Sequence, residues 1–126
     1  MRTVVAVGVA GFVGALARYE LEGLIADKTT GSFPWGTMFV NVTGSFVLGL
    51  LFALLVEGRV VVAPWLRTAA MVGLIGTYTT FSTFTLETVR LAEDGSYVLA
   101  GVNAMGSLAI GLVAVYAGIA LGGWSR

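Results

Sequence analysis

Apolar runs long enough to cross a membrane alternate along this chain with short charged or turn-forming punctuation. Four such runs lie at about 4–25, 37–56, 69–91 and 97–121, and roughly 20 mostly apolar residues suffice for a helix to span the hydrocarbon layer. The first two connectors carry Lys28, Gly31 and Pro34, then Gly58, Arg59 and Pro64, while Glu93, Asp94, Gly95 and Ser96 close the third run. The pattern predicts an all-α membrane protein, a bare four-helix unit in one domain over residues 1–126. Met1-Arg2 and the run ending Ala15-Leu16-Ala17 imitate a signal peptide. Gly8, Gly11 and Gly14 nevertheless recur at helical spacing, which suits a packed helix face better than a disposable leader.

Composition strengthens this reading. The chain is 57% hydrophobic and 11% charged, against about 45–50% and about 25% in soluble domains, so a water-soluble enzyme is excluded. A formal net charge of zero leaves no basic field for nucleic acid. With neither cysteine nor histidine there is no thiolate chemistry and no usual ligand for a transition metal. Eighteen glycines point to helices packed backbone against backbone. Arg2, Arg59, Arg67 and Arg126 fall on one side of the membrane and Arg18, Lys28 and Arg90 on the other. Four against three is almost no orientation bias, so insertion both ways and pairing of opposite-facing copies are open. No internal repeat relates the first two runs to the last two, and an inverted repeat would need two chains.

Polar side chains inside a span are costly and mark candidate sites. Thr37, Asn41 and Ser45 follow at i, i+4 and i+8, one stripe of a helix; interhelical hydrogen bonding is the plain explanation. The third run carries five threonines and a serine between Gly76 and Thr85. Together with Gly73 and Gly76 this marks a place where a helix could break and expose backbone carbonyls to a cation. Phe81 and Phe84 share a helix face. Packing is the usual role of such a pair, but ring edges are electropositive, and beside hydroxyls and an amide they could line a path for a small anion. Glu87 reads either as a buried carboxylate of a coupled transporter or as a residue snorkelling near Arg90. Asn103 and Ser107 form a further polar pair at i, i+4, and Gly118 with Gly122 a small-xxx-small packing pair.

Three motifs resemble the Fluc (CrcB) family of fluoride channels: Gly14-Ala15-Leu16-Ala17-Arg18-Tyr19, Gly36-Thr37-Met38-Phe39-Val40-Asn41, and Gly76-Thr77-Tyr78-Thr79-Thr80-Phe81-Ser82-Thr83-Phe84. The resemblance covers essentially the whole chain. It implies four transmembrane helices with the third broken near its middle, in an antiparallel dual-topology dimer of two identical chains or of paralogous subunits. It further implies two narrow fluoride pathways, a multi-pass place in the cell membrane, and a structural sodium ion at the dimer centre. By the same resemblance Asn41, Phe81, Phe84, Ser82 and Thr83 line the fluoride pathway, with Ser107 a looser match. Arg18 stands at the aqueous entrance, and the backbone carbonyls of Gly76 and Thr79 hold sodium. Gly111 offers no side chain where the family can carry another hydroxyl. The implied function is passive fluoride export, not enzymatic catalysis. The rival readings are a small proton-coupled multidrug or guanidinium exporter, for which Val4 to Ala17 holds no carboxylate, and a non-conducting assembly subunit.

Overall fold

The computed structural model describes residues 1–123, and among them all regular structure is helical. Helix α1 spans Arg2–Ala26, α2 spans Trp35–Val56, α3 covers residues 64–78, α4 spans Phe81–Glu93 and α5 spans Tyr97–Gly123. Three of these, α1, α2 and α5, are each long and apolar enough to cross a membrane alone. The third apolar run is two helices, α3 and α4, interrupted at Thr79 and Thr80. Arg2 lies 5.9 Å from the Trp65 ring and the Arg59 guanidinium donates to Gly123 O at 3.0 Å, so these charges gather at one end as the sequence pattern expects. Arg126, counted on that side, lies outside the described residues.

Glycine governs how the helices meet. A β carbon at Gly73 would sit 2.8 Å from Val7 O and 2.9 Å from the Ala10 β carbon, and one at Gly14 would strike Leu74 O and the Thr77 hydroxyl. The pairing thus advances in the same sense along both helices, from Val7 with Gly73 to Gly14 with Thr77, and the two run parallel. Gly49 packs on Val115 O, Gly118 on Phe46 O, and Gly122 on the Ala53 β carbon, so α2 and α5 are likewise parallel. Backbones this close maximise dispersion contact, the force that remains when lipid removes the hydrophobic drive between helices. The interior is correspondingly small and partly polar. Val40, Ala53, Ala69 and Ala100 are buried with Thr37, Thr80 and Asn103, while Phe12, Leu112, Val113 and Tyr116 point outward.

Local signals set the helix ends. Pro64 opens α3, where its missing N–H costs nothing. After α4, Gly95 turns the chain with φ of 77°, letting Ser96 N–H donate to Leu91 O at 2.8 Å and close the helix. Three stretches, Phe52–Val56, Ala69–Ile75 and Val102–Gly106, are wound as π-helix. The second lies just before the break and the third carries Asn103.

The break itself is held from α2. Thr79 (φ −86°, ψ 157°) and Thr80 (φ −145°, ψ 115°) are extended, which strips the local helical hydrogen bonds. The Asn41 carboxamide restores two of them, accepting from Thr80 N–H at 2.7 Å and donating to Thr80 O at 2.9 Å. The Thr80 hydroxyl then caps α4 by accepting from Thr83 N–H at 3.2 Å.

Two outcomes follow for stability, both read by reversible unfolding in detergent. Asn41→Ala orphans a buried N–H and a buried carbonyl and should cost about 1–3 kcal/mol for each. Asn41→Asp, which sets a second acceptor against Thr80 O, should cost at least as much; a loss below about 1 kcal/mol for both variants contradicts the clamp. Gly118→Ala drives a methyl into the α2 backbone and should destabilise the fold, whereas Gly101→Ala, with nothing within 4 Å, should be neutral or gain up to about 1 kcal/mol.

Candidate functional site

The broken segment, the α2 stripe and α5 border an open cavity of about 320 Å³. Asn41, Ser45, Thr79, Phe81, Phe84 and Ser107 reach it, with Leu48, Leu108 and Leu112 closing its apolar side. Four residues proposed from sequence as the pathway, Asn41, Phe81, Phe84 and Ser107, thus meet around one space although they come from three helices. No lysine or arginine lines it. Gly111 also faces it, and a β carbon there would lie 3.7 Å from the Ser45 hydroxyl oxygen, so Ser45 supplies polarity where Gly111 has no side chain.

Phe81 opens α4 and Phe84 follows one turn later. Their ring centroids are 5.8 Å apart at 41°, a tilted pair that keeps electropositive edges accessible. Phe81 is 76% exposed, so its ring faces outward from the single chain. Ser82 and Thr83 share this first turn but lie outside the cavity lining. The Thr83 hydroxyl instead accepts from the Thr80 hydroxyl at 2.9 Å. Arg18 is half-buried on α1 and also outside the lining.

A second polar chain supports Ser107. Asn103, 1% exposed, donates to the Thr88 hydroxyl at 2.9 Å, and Thr88 donates to Phe84 O at 2.8 Å. The Ser107 hydroxyl donates to Asn103 Oδ1 at 3.3 Å, long for O–H···O. Its proton is therefore weakly held.

The same clamp that closes the break leaves two carbonyls open. In a continuous helix Gly76 O would accept from Thr80 N–H and Thr79 O from Thr83 N–H; those donors are committed to Asn41 Oδ1 and to the Thr80 hydroxyl. Because the trans peptide is planar, the Thr79 carbonyl points opposite to Thr80 N–H. It therefore points away from α2. Gly76 is exposed, and a β carbon on it would meet only Met71 O, at 3.7 Å. Among the described residues neither carbonyl oxygen accepts a hydrogen bond, and such oxygens are hard donors suited to a hard cation. Among the described residues no three His, Cys, Asp or Glu side chains cluster to hold a metal.

One constellation escaped sequence reasoning. A cavity of about 680 Å³ beside the first connector is lined by Glu20, Glu22, Asp27 and Glu87. There Thr37 donates to Glu87 Oε1 at 2.8 Å, so Glu87 turns to α2 rather than to Arg90. The helical stripe marked Thr37 as inward-facing, but nothing in spacing links it to a carboxylate fifty residues away.

Known proteins resemble this chain along nearly its whole length. Residues 5–119 match the family model described as CrcB-like protein, Camphor Resistance (CrcB). The chain is 44% identical over 119 residues to the fluoride-specific ion channel FluC of Paramagnetospirillum magneticum, covering 94% of this chain and 93% of that one. It is 46% identical to the fluoride-specific ion channel FluC 2 of Geobacillus kaustophilus, covering 91% and 88%. To the fluoride-specific ion channel FluC of Geotalea daltonii it is 42% identical, covering 95% and 96%. With the family model spanning nearly its whole length, this multi-pass membrane chain belongs to the CrcB family.

Proposed function

We propose that this chain forms a fluoride-selective channel through which the anion leaves the cytoplasm down its electrochemical gradient. The observation that carries the reading is the cavity at the helix break, where an amide, hydroxyls and a tilted phenylalanine pair converge without a fixed cation. Fluoride is small and strongly hydrated, so a pathway must replace its water with close donors. It must also bind weakly enough for the ion to leave. A lysine or arginine in the cavity would make a deep well; ring edges and a loosely held Ser107 hydroxyl make a shallow one. The relatives named as fluoride-specific ion channels support the same conclusion. Weakly acidic HF enters cells from acidic surroundings and ionises inside, and a passive anion pathway then lowers cytoplasmic fluoride.

The working unit we infer is a dimer of two copies in opposite membrane orientations, with Ser82, Thr83 and the outward ring of Phe81 completing each pathway and Arg18 at the entrance. The near-balanced charges on the two sides support this. The open carbonyls of Gly76 and Thr79, supplied once from each copy, would hold a structural sodium ion between them. When bound, that ion would supply fixed positive charge between the two copies.

Phe81→Ile and Phe84→Ile test the pathway, with fluoride and chloride release from liposomes as the readout. An aromatic contact contributes about 0.5–1.5 kcal/mol, and 1.4 kcal/mol is tenfold, so each change should slow fluoride release up to about tenfold. Wild-type rate and selectivity in both variants would overturn the ring-edge account. Gly76→Val tests the shared face. Its side chain has room within one chain, so the fold should stand while the dimer dissociates at higher protein concentration in light scattering. Unchanged assembly would contradict the proposed interface.

A further inference from the structure

The break is tied to α2 on both flanks, and only one tie belongs to Asn41. Tyr78, the last residue of α3, reaches Thr43 with 2.8 Å between the two hydroxyl oxygens. Direction follows from the neighbouring bond: the Thr43 proton is engaged by Phe39 O at 2.7 Å, so the Tyr78 O–H donates and Thr43 accepts. The ring gets there across Gly44, where a β carbon would lie 3.0 Å from Tyr78 Cδ1 and would collide with the Thr79 methyl. Asn41 and Thr43 stand two positions apart, so their side chains leave different sides of α2. Between them Tyr78 and Thr80 are fixed, and Thr79 is the residue they bracket.

We propose that the Tyr78 hydroxyl, acting through Thr43, is a positioning group that fixes the direction of the Thr79 carbonyl and so tunes cation affinity at the break. The proposal rests on the reading of Gly76 and Thr79 as cation ligands. Thr79 rests its methyl against Gly44 but makes no long-range hydrogen bond of its own among the described residues. Its N–H and its hydroxyl both return to Ile75 O, at 3.1 Å and 3.2 Å. Rotation of the end of α3 therefore swings the Thr79 carbonyl unless something beyond the helix resists it. Asn41 restrains the far side of that peptide and Tyr78 the near side. A carbonyl donor set discriminates among cations through the placing of its oxygens, so loosening one tether should reduce affinity and blur selectivity without closing the anion cavity, which Tyr78 does not line.

The experiment titrates sodium chloride into full-length protein prepared in N-methylglucamine chloride and follows the melting temperature of the assembly, with potassium and lithium chloride run in parallel. Tyr78→Phe keeps the ring in the Gly44 socket and removes only the hydroxyl. It should raise the half-saturating sodium concentration about tenfold, flatten the order among the three cations, and leave the melting temperature at saturating sodium close to wild type. Thr43→Val should do the same, Thr43→Ser should restore wild-type affinity, and the double variant Tyr78→Phe with Thr43→Val should be no worse than either single change. A flat response in the wild type removes the cation reading and this proposal with it. If the wild type responds to sodium and Tyr78→Phe keeps the same half-saturation, or merely melts lower at every concentration, the positioning role alone is overturned.

Discussion

Inside a bilayer every backbone N–H and C=O must find a partner within the protein, and a helix meets that demand only while it is unbroken. This chain interrupts its third crossing at Thr79 and Thr80 and meets part of the demand with one side chain, the Asn41 carboxamide, which pairs with both polar groups of Thr80. Much else follows from that substitution. Thr80 is freed to cap α4, Phe81 and Phe84 are presented at the first turn, and the Gly76 and Thr79 carbonyls lose their helical donors. The amide that permits the break also faces the cavity the break creates. Removing it therefore attacks the fold and the cavity lining together.

Packing gives the break its setting. Helices in lipid have no hydrophobic incentive to associate, so this fold presses Gly14, Gly49, Gly73 and Gly118 onto neighbouring backbones. That brings α2 close to α5, where Ser45 and Gly111 share one wall of the cavity. The interior keeps polar residues such as Asn103, and the exterior keeps the long apolar ones. A soluble protein distributes them in the opposite sense.

The crossings and the break were legible in the sequence because each has a local signal: apolar length for the helices, and a crowd of hydroxyl residues after Gly73 and Gly76 for the interruption. The Thr37, Asn41 and Ser45 stripe was legible as a face, and all three residues do face α4 or α5. The identity of their partners was not. Hydrogen bonds such as Thr37 to Glu87 or Tyr78 to Thr43 join helices distant in sequence, and helical periodicity says which way a residue points, not what it meets. The bilateral clamp on Thr79 was hidden for the same reason. The π-helical winding of Ala69–Ile75 and Val102–Gly106, which shifts Asn103 and the end of α3 in register, has no signal in hydropathy.

On the proposed reading, the convergence of amide, hydroxyls and ring edges suffices for selective, passive anion movement by this chain alone. The most direct test reconstitutes only the purified chain in liposomes loaded with fluoride and chloride, sets the voltage with a potassium ionophore, and reads both ions with electrodes. Rapid fluoride release without chloride release and without an imposed proton gradient is the predicted result. Release of chloride alongside fluoride, or fluoride release only when a proton gradient is applied, would contradict it.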